Sequence, residues 1–258
     1  RIAAWNLHFR CDRLAPSALS GPRRHVALQL SGRQVRPQSG MSNKMSRFDA
    51  SFLPFKMAPG QNIVSQLKAD GIDPAEVKTV ILSSLRMDHA GMVEGFPGAA
   101  VYVDRREWEA QKKKVLEKPA PYQFDPLSME ARMRLRQVDL SSAPVYASFD
   151  HAEDLFRDGT VLLVDLSGFA AGGVGLWINL DSGPVLLAGD ASWVLDNHQD
   201  LALPRAAYVV DLLRYWRRLY QMQEAQHAVE RLVIFPGHDL MPLRLQPRPD
   251  VSAVPFPR

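Results

Sequence analysis

Residues 79–111 read TVILSSLRMDHAGMVEGFPGAAVYVDRREWEAQ. The block opens on a short apolar, β-branched run, which predicts a buried strand over 78–84. AAVYVD (99–104) reads as a second strand. Asp104 stands three residues ahead of Glu107, the spacing of a helix N-cap with a reciprocal glutamate, so a helix is expected through Trp108. Between the strands lies Asp88-His89, a carboxylate and an imidazole at a strand's C-terminal end, both able to ligate a metal. Just before them stand Ser84 and Arg86, and a guanidinium has only donors to offer, no lone pair for a cation.

Working outward, a helix is expected over 61–69, ended by Gly71 and Pro74. HVALQLSG (25–32) alternates like a strand, while 33–58 lacks periodicity and reads as a loop or flap. TVLLVD (160–165), VGLWINL (174–180) and PVLLAGD (184–190) are three short strands between glycine-bearing turns. Asp211 caps a helix whose Leu212, Leu213, Trp216, Leu219 and Tyr220 read as a core-facing stripe. RLVIF (231–235) is a final strand leading into Pro236-Gly237-His238-Asp239, and 242–258 reads as an irregular tail. Strands with a covering helix in each half favour a layered α/β sandwich over a singly wound sheet.

Three candidate metal-binding groups thus stand at strand ends: Asp88-His89, Asp190 and His238. Two imidazoles and two carboxylates suit Zn, and also Fe or Mn. Each dipeptide is also a common turn or cap, so spacing alone leaves both readings open.

Composition narrows the classes. No stretch approaches 18 uninterrupted apolar residues, so no transmembrane helix is expected. The lone Cys11 excludes an internal disulfide or a cysteine-based zinc knuckle and is compatible with a cytoplasmic protein. Residues 1–47 carry nine cations against one anion, a net +8; with +3 overall, the remainder is −5. A transit peptide or nucleic-acid arm has this character. Basic side chains lining the 25–32 strand explain it more simply, and the acidic remainder gives nucleic-acid binding no support.

On these residues the chain resembles the metallo-β-lactamase superfamily, and within it the N-acyl-homoserine lactonase branch. There the first strand ends in T-H-x-H-x-D-H-x-G, followed by F-P-x-A-x-V-Y-V and a helix opening R-x-E-W/Y-E. GTVLLVDLSGFAAGGVGLWINLDSGPVLLAGDASW (159–193) is similar to the segment with the family's second G-H and its G-D, and VIFPGHD (233–239) to its closing G-H-D. The similarity covers roughly 60–240 and implies the four-layer αββα sandwich as one domain over 1–258.

The resemblance also implies two adjacent metal sites, and here they diverge. The first would use positions occupied by Ser84, Arg86 and Gly173, none of them histidine. The early D-T-G turn that supports it has Leu30-Ser31-Gly32 as its nearest counterpart. The second would use Asp88, His89 and His238, with Asp190 bridging, and all four are present. The implied function is a hydrolase of a lactone or ester with one divalent metal, most readily Zn, acting on a small molecule. Asp88 or Asp190 would take the water proton, and Arg86 would steady the developing oxyanion. The alternative is a catalytically degenerate member, without metal, in which Arg86 pairs with Asp88 or Asp190 and the cleft binds a ligand or partner. Trp193 stands where the branch places a substrate-contacting tyrosine, and is either a substrate contact or a packed aromatic. His198 reads as an exposed loop residue, and His8, His25, His151 and His227 as surface residues.

Overall fold

The computed structural model describes residues 8–10, 25–29, 62–69, 71–117, 126, 134–204 and 209–238; the side chains of 8–10, 25–29, Met87 and Asp88 fall outside that description. The loop expected over 33–58, the 30–32 turn and the tail over 242–258 also lie outside the described residues.

Among the described residues ten strands form two five-stranded sheets. The first holds β1 (His8–Arg10), β2 (His25–Gln29), β3 (Thr79–Leu82), β4 (Ala100–Asp104) and β5 (Arg134–Val138) in that order, all neighbours parallel except β1 and β2. The second holds β6 (Ala152–Asp154), β7 (Val161–Asp165), β8 (Val174–Leu180), β9 (Gly183–Gly189) and β10 (Val233–Pro236). Its order is β10-β9-β8-β7-β6, and only β10 and β9 run parallel. The α-helices described in full are α1 (Ile63–Ala69), α2 (Met87–Ala90), α3 (Arg105–Glu117), α4 (Leu195–Gln199) and α5 (Leu212–Ala228).

Successive side chains of a strand point to opposite faces, and this alternation assigns the layers. In β3, Val80 and Leu82 join Ile63 and Leu67 of α1 and Trp108 of α3, while Ile81 faces the other sheet. In β7, Val161 and Leu163 meet Ile81, whereas Leu162 and Val164 pack on Tyr215, Leu219 and Met222 of α5. β8 and β9 split the same way, with Leu176 and Leu187 inward and Trp177 and Leu186 toward α5. Three cores in series make helix, sheet, sheet, helix. This is the four-layer αββα sandwich that the resemblance implies. Strands buried on both faces also explain why β7 reads as an unbroken apolar run.

Three local expectations are corrected. Trp216 and Tyr220 are 43% and 44% exposed, stacked on each other rather than packed in the core. Of the expected stripe Leu219 alone faces the core, in a row with Tyr215 and Met222. Leu212 and Leu213 are exposed with the stripe. His151 is half-buried, with Nδ1 2.7 Å from the Ala143 carbonyl oxygen. Among the described residues no helix is long and apolar enough to cross a membrane.

Candidate active site

β3, β9 and β10 end at one edge of the sandwich, close to the start of β8. Val174 N donates to the Ser83 carbonyl at 2.9 Å, joining the end of the first sheet to the second. After β9 the chain turns sharply. Gly189 has φ of 54°, and a side chain there would also crowd Ser83, 3.3 Å from its Cβ. That turn presents Asp190 and then seats the last loop: Gly237 N donates to Ser192 O at 2.8 Å, and His238 N to Trp193 O at 2.8 Å. On the other side, α2 is a single turn in which His89 N donates to Arg86 O at 2.9 Å.

These turns bring three of the four predicted second-site groups together around one carboxylate. His238 Nε2 lies 2.8 Å from Asp190 Oδ1, and His89 Nε2 lies 3.3 Å from Asp190 Oδ2. His89 is fully buried, and its other nitrogen, Nδ1, is 2.8 Å from Ser83 Oγ, which fixes the ring's orientation. The side chain of Asp88 lies outside the described residues. Burial pushes the Asp190 carboxyl upward, but the charge of His89 and hydrogen bonds from both histidines outweigh it and hold the group well below the usual carboxylate range.

The positions of the first site also meet here. Ser84, Gly173, Phe169 and Asp190 line one small cavity. Arg86 reaches over it: Nε is 3.4 Å from Asp190 Oδ2, and the guanidinium carbon lies 5.8 Å from the centre of the Phe169 ring. Trp193 packs 5.3 Å from Phe169 and 5.2 Å from His238, ring centre to ring centre, and so frames the site. His198 is not exposed, as was expected, but fully buried on α4, with Nδ1 2.9 Å from Ser192 Oγ. It braces the turn that carries Asp190.

Two contributors escaped the sequence. Ser83 orients His89 and carries no signal in spacing. Glu107, read as half of a reciprocal cap, instead sends Oε1 to Leu85 N at 2.9 Å and Oε2 to Gly172 N at 3.1 Å. It ties together the loops bearing Arg86 and Gly173. Asp104 does cap α3, accepting from Arg106 N at 2.7 Å.

Donor chemistry discriminates between the two metal positions. A serine, an arginine and a glycine do not fit a cation. Two imidazole nitrogens and a carboxylate are donors of the right type: ligands about 2.0–2.1 Å from a tetrahedral Zn lie roughly 3.4 Å apart, near the 3.3 Å between His89 and Asp190, whereas His238 and Asp190 stand at hydrogen-bond distance, 2.8 Å. Among the described residues no three such groups enclose a common point. Asp190 stands between the two rings, and Asp88 is the fourth donor the sequence assigns.

The chain has clear relatives. The profile of the metallo-beta-lactamase superfamily matches residues 40–238. The N-acyl homoserine lactonase AttM of Azorhizobium caulinodans is 34% identical over 189 residues, 71% of this chain and 66% of that protein. The lactonase AiiA of Bacillus thuringiensis subsp. kurstaki is 28% identical over 211 residues, 79% of this chain and 74% of that protein. Among solved structures, an N-acyl homoserine lactone hydrolase with N-hexanoyl-L-homoserine bound at its catalytic metal center superposes with a TM-score of 0.63. The superposition covers 92% of this chain and 91% of that one, at 22% identity, and bears on the fold alone. The chain spans just under two thirds of the length of AttM, 66% in one species and 64% in another.

Proposed function

The chain belongs to the metallo-beta-lactamase superfamily, and from that premise we propose that it is a hydrolase of a lactone or ester bond in a small molecule, working with one divalent metal. The ion is held by His89, Asp190 and His238, with Asp88 as the remaining donor, and Zn suits this set best. The observation that carries the reading is the meeting of both imidazole Nε2 atoms on the single buried carboxylate of Asp190. The lactonase relatives supply the class of bond.

When bound, a divalent ion supplies Lewis acidity and an acidified water. The protein's own groups do the rest. Ser83 holds the His89 ring in one orientation through Nδ1. Asp190, which lies against both histidines and Arg86, or Asp88 would take the proton of the attacking water. Trp193 and Phe169 form an aromatic wall against which the rest of the substrate packs. Trp193 has an indole N–H where a tyrosine would have a hydroxyl, so it can donate a hydrogen bond but not accept one.

The test is elemental analysis of the purified chain alongside lactone and ester hydrolysis. About one equivalent of metal is expected, with H89A and H238A losing both metal and turnover. Below about 0.1 equivalent after reloading, the reading fails. One observation favours a second reading: the Arg86 guanidinium already lies on Asp190. A site closed by its own cation would bind a ligand without metal and without hydrolysis, and the same two measurements separate the cases.

A further inference from the structure

The cavity beside Asp190 has an unusual construction. Ser84 is 2% exposed, and its Oγ is buried with no hydrogen-bond partner among the described residues. A hydroxyl left so costs roughly 1–3 kcal/mol unless something in the cavity satisfies it. Gly173 lines the cavity as well, and a Cβ there would come within 2.8 Å of the Leu166 carbonyl oxygen, so the position does not readily take a side chain. Arg86 touches two of the cavity's walls, Asp190 and Phe169, yet keeps 39% of its side chain exposed.

We propose that the Ser84 hydroxyl and the Arg86 guanidinium form a two-donor site for the substrate's carbonyl oxygen in this cavity, so that protein donors stand where two metal-binding histidines are absent. The charges select the occupant. A resident anion would be repelled by the Asp190 carboxylate that lines the cavity, whereas a neutral carbonyl oxygen carries no net charge to be repelled. As water adds, the carbonyl π electrons move onto that oxygen. The attraction to Arg86 then grows, and stabilisation specific to the transition state follows. The guanidinium's fixed fork, steadied on Phe169, needs little rearrangement at that moment.

This inference rests on the hydrolase reading, and its test separates the two. The full chain, loaded with zinc, is titrated with γ-butyrolactam labelled at its carbonyl carbon, which resists hydrolysis, and the carbonyl stretch is followed by infrared difference spectroscopy. The stretch is expected to fall on binding, and S84A and R86M each to reverse part of the shift, with R86K restoring some of it. In lactone hydrolysis S84A is expected to lower kcat about tenfold with KM nearly unchanged. An unshifted carbonyl, a shift indifferent to both substitutions, or no lactam binding at millimolar concentration overturns the proposal. A shift that depends on Ser84 and Arg86 in a chain that hydrolyses no lactone or ester upholds the carbonyl site and overturns the hydrolase reading alone.

Discussion

The carboxylate of Glu107 on α3 accepts a hydrogen bond from the backbone N–H of Leu85, 22 residues earlier, at 2.9 Å. Its second oxygen accepts from Gly172 N at 3.1 Å. Leu85 precedes Arg86 and Gly172 precedes Gly173, so one buried side chain sets the spacing of the two loops that line the cavity. E107A leaves two buried donors unmet and is expected to cost about 3 kcal/mol. E107Q retains one acceptor and turns an N–H toward an N–H, so it should fall between. Urea denaturation measures both.

Under the one-metal reading, Arg86 and an ion at His89, Asp190 and His238 would compete for the same carboxylate. A guanidinium 3.4 Å from Asp190 Oδ2 repels a dication placed nearby, and Coulomb energy at a few ångströms in a wet site is of the order of 1–2 kcal/mol. R86M is therefore expected to tighten zinc binding about tenfold. Competition against a chromogenic chelator reads this directly. Unchanged affinity would mean that Arg86 swings clear when the ion binds.

Restoring histidine to the first metal position is not a simple exchange. At Gly173 a Cβ meets the Leu166 carbonyl oxygen at 2.8 Å, and that segment is tied down by the hydrogen bond from Leu166 N to Gly173 O at 2.9 Å. G173A is expected to cost about 1–3 kcal/mol, and G173H more than S84H or R86H. Thermal unfolding of the three single variants gives the ranking.

What was legible in the chain depended on burial. β7, β8 and β9 declared themselves because apolar residues pack on both sheet faces. β5 did not: RLRQV buries only Val138, as an edge strand with solvent beside it would. The convergence of His89, Asp190 and His238 was readable because β3, β9 and β10 end at one edge, so strand-end position sufficed. The row of α5 was misread because two apolar stripes, 215/219/222 and 212/216/220, share the same spacing, and only packing decides which faces inward. Glu107 occupies the right helical position for a cap, but the nearby backbone donors of Leu85 and Gly172 outcompete it, and those arrive only with tertiary structure.

A charge ladder centred on Asp165 is expected to govern the acid stability. Asp165 at the end of β7 is 1% exposed and held by Arg218 at 2.9 Å and Arg106 at 3.0 Å. Arg106 also grips Asp104, and Arg218 also grips Asp150. Burial alone would raise the Asp165 carboxyl, but the hydrogen bond from Arg106, the charge of Arg218 and the bond from Ser167 N bring it below the ordinary 3.8. A lowered folded value means that the unfolded chain takes up the proton first. The ladder's contribution is therefore complete above about pH 4 and disappears as pH falls through the folded value. D165N removes the titrating group and takes one of two carboxylate partners from each arginine, and should cost about 2 kcal/mol at neutral pH. Its stability should also fall less steeply than the parent's between about pH 4 and 2. Asp190 is lowered in the same direction and remains in both proteins, so the difference in slope isolates Asp165. Parallel acid limbs in urea titrations across that range would show that the ladder does not control acid unfolding.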